Sequence, residues 1–256
     1  MSGLEGFGEA QRWSQRLRES SASTSQALAS IRVNVAIDTL TATFEAEEIL
    51  YTLRDFAVVI KASPTGFLFS YIKTFAEFPE FVLPDRAHLT IATPCLNAYA
   101  QHLSGIAGRR QAAVLDLPEC DADKLFWQSG RIEAADLLQV PKGRITENGV
   151  RESIRIALKR MAGDTTISLI DAEFARAQLW QWVRHVTGVL DSGLIIDEKL
   201  FGLWLDEELE RLAVASVAGG GADTARLREA ARVLSELSTA PTITPFLDDQ
   251  AYRIAN

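Results

Sequence analysis

The feature that most constrains this chain is a change of pattern at Pro118. Before it, short apolar runs alternate with amphipathic stretches. Residues 31–37 (Ile-Arg-Val-Asn-Val-Ala-Ile) alternate apolar and polar and then turn wholly apolar, as a strand entering a buried sheet does. Asp38 closes that run. Residues 44–56 place apolar side chains at 44, 46, 49, 50, 53 and 56, the spacing of one helix face. Ala57-Val58-Val59-Ile60 predicts a second strand, stopped by Ser63-Pro64-Thr65-Gly66. Residues 88–92 predict a third strand and residues 112–117 a fourth, separated by a helix that Pro94 opens and that runs to Arg110. Strands alternating with helices imply parallel βα units.

After Pro118 only helical periodicity remains, over residues 121–139, 146–161, 166–185, 197–216, 222–237 and 244–251. Thr146 ahead of an apolar-periodic run has the character of a helix start. Gly219-Gly220-Gly221 predicts a flexible turn between helices. At the other end, residues 9–18 predict a short amphipathic helix, and the Ser- and Thr-rich residues 20–30 a loop. The expected fold class is therefore α/β followed by all-α. The division falls near residue 120, with a βα region over 1–120 and a helical domain over 121–256.

Composition removes several function classes. Hydrophobic residues at 47% and charged residues at 23% are ordinary for a globular protein. A formal charge of -8 argues against nucleic-acid binding, which needs clustered Lys and Arg. Cys95 and Cys120 are the only cysteines and lack metal-ligand spacing, so free thiols in a reducing cytoplasm are expected. Residues 1–18 contain no apolar run of the signal-peptide kind, and no apolar window is long enough to span a membrane. The expected location is cytoplasmic.

Three stretches carry a family resemblance. Phe67-Leu68-Phe69-Ser70-Tyr71-Ile72-Lys73-Thr74-Phe75 runs on to Val82-Leu83-Pro84-Asp85-Arg86. Ala36-Ile37-Asp38-Thr39-Leu40 precedes it, and Ala175-Arg176-Ala177-Gln178-Leu179-Trp180-Gln181-Trp182 follows far downstream. Together they resemble the malate synthase family. That family condenses acetyl-CoA with glyoxylate on a Mg2+-bearing TIM barrel followed by a helical C-terminal domain. The resemblance begins at Glu9, midway round the barrel, with a second gap after Leu117. It implies a partial TIM-barrel-like parallel sheet of about four strands, then a malate synthase-like C-terminal helical domain.

The resemblance also assigns positions. Asp38 matches the metal-binding glutamate, one methylene shorter. The second metal carboxylate falls on Gly66, which has no side-chain ligand, so Mg2+ is implied only in part, given its strict octahedral geometry. Ser63-Pro64-Thr65 replaces the glycine-containing turn whose amides hold the glyoxylate carboxylate, and proline removes one donor. The catalytic base falls on Ser168 in an ungapped match and on Asp171 with a small gap. Lys73 and Arg109, with Arg110, could meet a CoA phosphate; solvated helix surface is the plainer reading. Asp116, at a strand end, sits where barrel enzymes place catalytic groups, against the plainer reading of a loop aspartate.

Other residues have structural explanations. Asp38 alone reads as a strand-end cap, and Asp85-Arg86 as an ion pair or helix-start feature. Trp180 and Trp182 read as core rather than a CoA platform, and Glu173 with Arg176 as a helix-surface pair at i, i+3. His88, His102 and His185 lie on different elements and propose no metal site. Three functions follow: an enzyme acting on an acyl-CoA or acyl-carrier thioester, with Asp38, Asp116 and Asp171 as acids and bases; half of a split synthase; or a non-catalytic interaction subunit. An open half barrel exposes strand edges and an apolar inner face, so a second copy or a partner chain completing the barrel is expected.

Overall fold

The computed structural model describes residues 4–24, 27–117, 132–219 and 223–245. The chain forms two compact units: Met1–Tyr71 with Thr90–Gln139, and Ile72–Leu89 with Val140–Asn256. The expected division near residue 120 lies outside the described residues.

The first unit is built on three parallel strands, β1 (Arg32–Ile37), β2 (Ala57–Ala62) and β3 (Ala113–Leu115), in the order β1-β2-β3. The register sets Val35 beside Ile60 and Ile60 beside Val114. Helices α1 (Phe7–Thr24), α2 (Leu40–Phe44), α3 (Ala46–Thr52), the start of α4 (Pro64–Thr74), α5 (Pro94–Arg110) and the single turn α6 (Ala134–Leu137) complete it. One sheet face is buried, through Val33, Val35, Ile37, Ile60 and Ala62. Phe67 and Tyr99 belong to the same core, their ring centroids 4.8 Å apart.

The other sheet face is mixed rather than apolar. Arg32, Asn34, Ala57, Lys61, Ala113 and Leu115 are exposed along it. The alternation Arg-Val-Asn-Val in β1 is that of a sheet with one wet face, whereas parallel strands covered on both faces read as continuous apolar runs.

Four sequence expectations need correction. The strand expected at 88–92 is absent. Arg86–His88 is a 3-10 turn, and the Thr90 amide donates to the Thr93 hydroxyl at 3.0 Å, a local bond that competes with extended pairing just before Pro94. The helix expected over 44–56 is two helices that meet at Glu45, and it ends at Thr52. The loop expected at 20–30 is helical to Thr24, where the Ser23 and Thr24 hydroxyls donate back to the Ser20 carbonyl. The sheet therefore has three strands among the described residues, not four.

The second unit contains α7 (Glu147–Met161), α8 (Leu169–Arg184), α9 (Glu198–Gly219) and α10 (Thr224–Thr239). These lie close to the sequence expectation. Of the helix expected at 244–251, residues 244 and 245 are not helical, and the remainder lies outside the described residues, as does most of the Gly219–Gly221 turn. Thr146 caps α7, its hydroxyl accepting from the Gly149 amide at 3.0 Å.

The chain before α5 enters this unit in an unusual way. Residues 82–84 leave the 3-10 turn Pro79–Phe81 and lie against α8, and the polar side chains of the helix bond the backbone of 81–84. Gln181 Oε1 accepts from the Leu83 amide at 2.9 Å, and Gln181 Nε2 donates to the Phe81 carbonyl at 3.0 Å. Trp182 Nε1 donates to the Leu83 carbonyl at 2.7 Å, and Gln178 Nε2 to the Pro84 carbonyl at 2.8 Å. Asp85, 3% exposed, then accepts from the Thr146 amide at 3.1 Å and from its hydroxyl at 2.6 Å. Asp85 is thus a helix-start feature, not half of an ion pair with Arg86.

Gly149 leaves the space for that carboxylate, since a Cβ there would sit 2.1 Å from Asp85 Oδ1. Gly149→Ala is therefore expected to lower unfolding free energy by about 1–3 kcal/mol, the usual cost of overpacking, as read from urea denaturation. Cys95 is a free, buried thiol whose pKa burial pushes up to about 11. At pH 8 its peptide is expected to escape iodoacetamide in the folded chain and to be alkylated once urea unfolds it, read by mass spectrometry.

Candidate functional site

The candidate residues divide between the units: Asp38, Arg109 and Asp116 in the first, and Lys73, Ser168 and Asp171 in the second.

In the first unit, parallel pairing brings the C-terminal ends of the strands to one rim. Asp38 follows β1 and Asp116 follows β3. Between them β2 presents Lys61, whose Nζ lies 3.7 Å from Asp116 Oδ2. Both partners are more than half exposed, so the pair contributes little to stability. Asp116 adopts a left-handed backbone, φ 63°, which an aspartate tolerates better than most residues. Arg109 is elsewhere. It ends α5 just before β3 begins, at the other end of the sheet, and donates to Glu47 Oε2 at 2.8 Å.

One further residue frames the rim. The Tyr99 hydroxyl donates to the Ile37 carbonyl at 2.5 Å and accepts from the Ser63 amide at 2.9 Å. It ties the end of β1 to the turn after β2. Burial raises its pKa far above the phenol range, and the nearby Asp38 charge adds to that. Away from the rim, His102 Nε2 lies 3.0 Å from the Thr43 carbonyl, and burial lowers its pKa.

Gly66 lies directly against Asp38. A Cβ built on Gly66 would be 2.9 Å from Asp38 Cβ, 3.0 Å from Ser63 Oγ and 3.1 Å from the Asp38 carbonyl oxygen. Two of those three atoms belong to backbone or to a Cβ and cannot swing aside. The start of α4 is therefore packed onto the end of β1 so closely that only glycine fits.

In the second unit, Ser168 and Asp171 form one capping pair. The Ser168 hydroxyl accepts from the Asp171 amide at 3.1 Å and donates to Asp171 Oδ2 at 2.5 Å. Arg86 holds the other oxygen, Nη1 to Oδ1 at 3.3 Å, and also donates to the Asp171 carbonyl at 3.1 Å. The two alternative base positions are thus a single device that starts α8. Lys73 is half-buried on the last turn of α4.

The Trp180-Gln181-Trp182 run is buried and forms no platform; Trp180 Nε1 donates to the Ala240 carbonyl at 2.8 Å. Glu173 and Arg176 need correction, because both are fully buried rather than on a helix surface. Arg176 Nη2 donates to Glu173 Oε2 at 2.7 Å and to the Thr244 carbonyl at 3.1 Å. Spacing of i, i+3 fixes that two residues share a face, not which face is covered.

Sequence reasoning missed Lys61, Tyr99 and the grip of Arg86 on Asp171. Lys61 was legible as the one charge in an apolar strand. The others depend on contacts between residues 36 to 85 positions apart, which no local pattern records.

A parallel βα sheet with a loaded C-terminal rim, followed by a helical unit, defines a partial barrel with a helical domain. Residues 3–116 match the family model described as malate synthase, TIM barrel domain, and residues 169–254 match the one described as malate synthase, C-terminal. The malate synthase of Myxococcus xanthus is 30% identical over 312 residues, covering 95% of this chain and 57% of the relative. Malate synthase A of Escherichia coli is 27% identical, covering 88% and 54%, and the malate synthase of Arabidopsis thaliana 26%, covering 87% and 52%. This chain belongs to the malate synthase family. It spans about half the length of the curated relatives it matches. The 312 aligned residues exceed the chain's own 256, so segments of that relative have no counterpart within it.

Against the Mg2+ that the family implies, the residues present do not fit. The resemblance puts the second carboxylate on Gly66, and there Asp38 itself occupies the space a side chain would need. Among the described residues no three His, Cys, Asp or Glu side chains are grouped to hold a metal. No described helix is long and apolar enough to cross a membrane.

Gly66→Asp is expected to destabilise the chain by about 1–3 kcal/mol in urea denaturation, without creating a Mg2+ site. Ser168→Ala is expected to cost about 0.5–2 kcal/mol through loss of the α8 cap.

Proposed function

We propose that this chain is a malate synthase-fold protein that binds an acyl thioester, CoA- or carrier-linked, and does not condense it with glyoxylate as a Mg2+-dependent synthase does. The observation that carries the second half is the contact of Gly66 with Asp38, which leaves one carboxylate where the family resemblance implies two. The engagement of Asp171 by both Arg86 and Ser168 supports it from the other unit. Loss of one preorganised charge-stabilising group costs about 10²–10³ in rate. Two such losses leave little turnover even where they are not additive. Family membership supports the thioester, and glyoxylate or another 2-oxo acid is the companion ligand it suggests.

The rim retains chemistry of a simpler kind. Asp38 and Asp116 can each accept a proton, and Lys61 between their strands can hold a carbonyl or carboxylate oxygen. A split synthase is the second reading. The observation that favours it is β3, three residues long, which pairs on one side only among the described residues. An open parallel edge of this kind accepts another strand. On either reading a second copy or a partner chain would complete the sheet, and a cytoplasmic location suits both.

The test is thiol release from acetyl-CoA by the purified chain, with and without glyoxylate and Mg2+, beside Asp38→Ala. The expected result is acetyl-CoA binding by calorimetry without glyoxylate-dependent release. Release that requires both glyoxylate and Mg2+ and disappears in Asp38→Ala would refute the reading. Release without glyoxylate would identify a thioester hydrolase.

A further inference from the structure

We infer that the groove at the N-terminal end of the sheet binds a phosphate ester with an apolar body. Arg32, Arg54 and Arg110 lie at the end away from the Asp38 and Asp116 rim, with the floor running along β3 to Leu115, and the inference is independent of the thioester reading. The groove has a volume of about 540 Å3 and is lined by Arg32, Arg54 and Arg110 over an apolar floor that includes Phe56, Val59 and Leu115. No carboxylate lines it. In a chain with 34 acidic and 26 basic residues, three guanidiniums around one acid-free cavity run against the overall balance.

A second cleft of about 490 Å3 adjoins it and shares Arg54 and Arg110. Tyr51 stands at the junction, half exposed, with the Arg54 guanidinium 4.2 Å and the Arg110 guanidinium 5.2 Å from its ring centroid. The Arg54 bond to the Tyr51 carbonyl, 2.8 Å, fixes one guanidinium, and Glu47 in the adjoining cleft fixes that of Arg110.

Capping of helix ends accounts for part of this cluster. Arg54 follows α3 and Arg110 ends α5, and Glu47 already takes one face of Arg110. Asp55 lies near Arg54 and pairs with Arg18. Capping does not account for Arg32. It opens a strand, is exposed, and makes no ion pair among the described residues. Arg32 and Arg54 thus keep donors for a ligand, while Arg110 adds charge. A carboxylate is satisfied by a single guanidinium fork, whereas a phosphate accepts from several at once. The floor selects a ligand with an apolar or flat body over a bare anion. A polynucleotide is disfavoured, because the chain's charge of -8 opposes a long anionic backbone.

The test uses ADP and pyrophosphate as probes, titrated calorimetrically into the full chain at low salt, beside Arg32→Gln and Ala57→Glu. Ala57 is exposed at the start of β2 within the lining, so the glutamate adds a negative charge without removing a cap. ADP is expected to bind one-to-one and more tightly than pyrophosphate. Arg32→Gln is expected to weaken ADP about tenfold, the worth of one charged hydrogen bond, and Ala57→Glu to weaken it further. Unchanged melting temperatures would assign the loss to the groove. Absence of saturable ADP binding, or binding that both folded variants leave intact, would overturn the inference. So would pyrophosphate binding as tightly as ADP.

Discussion

The second unit depends on the hydrogen bonds that α8 extends to the backbone of residues 81–84. Four bonds from Gln178, Gln181 and Trp182 satisfy groups on a segment that has no strand partner of its own. A buried, extended segment must place its amides and carbonyls somewhere, because each orphaned group costs about 1–3 kcal/mol. Helix side chains here do the work a neighbouring strand would do. The Asp85 carboxylate continues the arrangement by bonding Thr146, and Gly149 makes room for it. The two sequence stretches that mark the family in this unit are therefore one structural device.

That device ties the family motif in this unit to structure rather than to chemistry. The motif around Ala175–Trp182 holds the fold, its glutamines and tryptophans bonding backbone groups. The positions that the resemblance assigns to the chemistry are under different constraints. Gly66 is packed on Asp38, and Asp171 serves as a cap between Ser168 and Arg86. Both are settled locally by steric fit and helix geometry, and either can be occupied in this way without disturbing the buried motif.

Much of the architecture was legible because it rests on short-range physics. The strands at 32–37 and 57–62 follow from alternation and apolar runs, and the helices from Thr146 onward from caps and periodicity. The strand expected at 88–92 failed because composition cannot reveal that Thr93 captures the Thr90 amide. The polarity of the open sheet face was legible in Arg32, Asn34 and Lys61, but it needed the register to show that they share a face. Of the candidate site, Asp38 and Gly66 were placed by resemblance alone. Their mutual contact, which decides what they can do, joins residues on separate elements. Glu173 and Arg176 show the same gap, since spacing gave the pair and only the fold showed it buried.

The measurement that tests the account most directly is metal binding at Asp38, followed by electron paramagnetic resonance of Mn2+ as the spectroscopic stand-in for Mg2+. The chain as it stands is predicted to leave the free Mn2+ signal unchanged at stoichiometric concentrations, with or without glyoxylate. A bound signal at one ion per chain that is lost in Asp38→Ala would show that the rim still assembles a metal site around Gly66. The steric argument at the centre of this account would then be wrong.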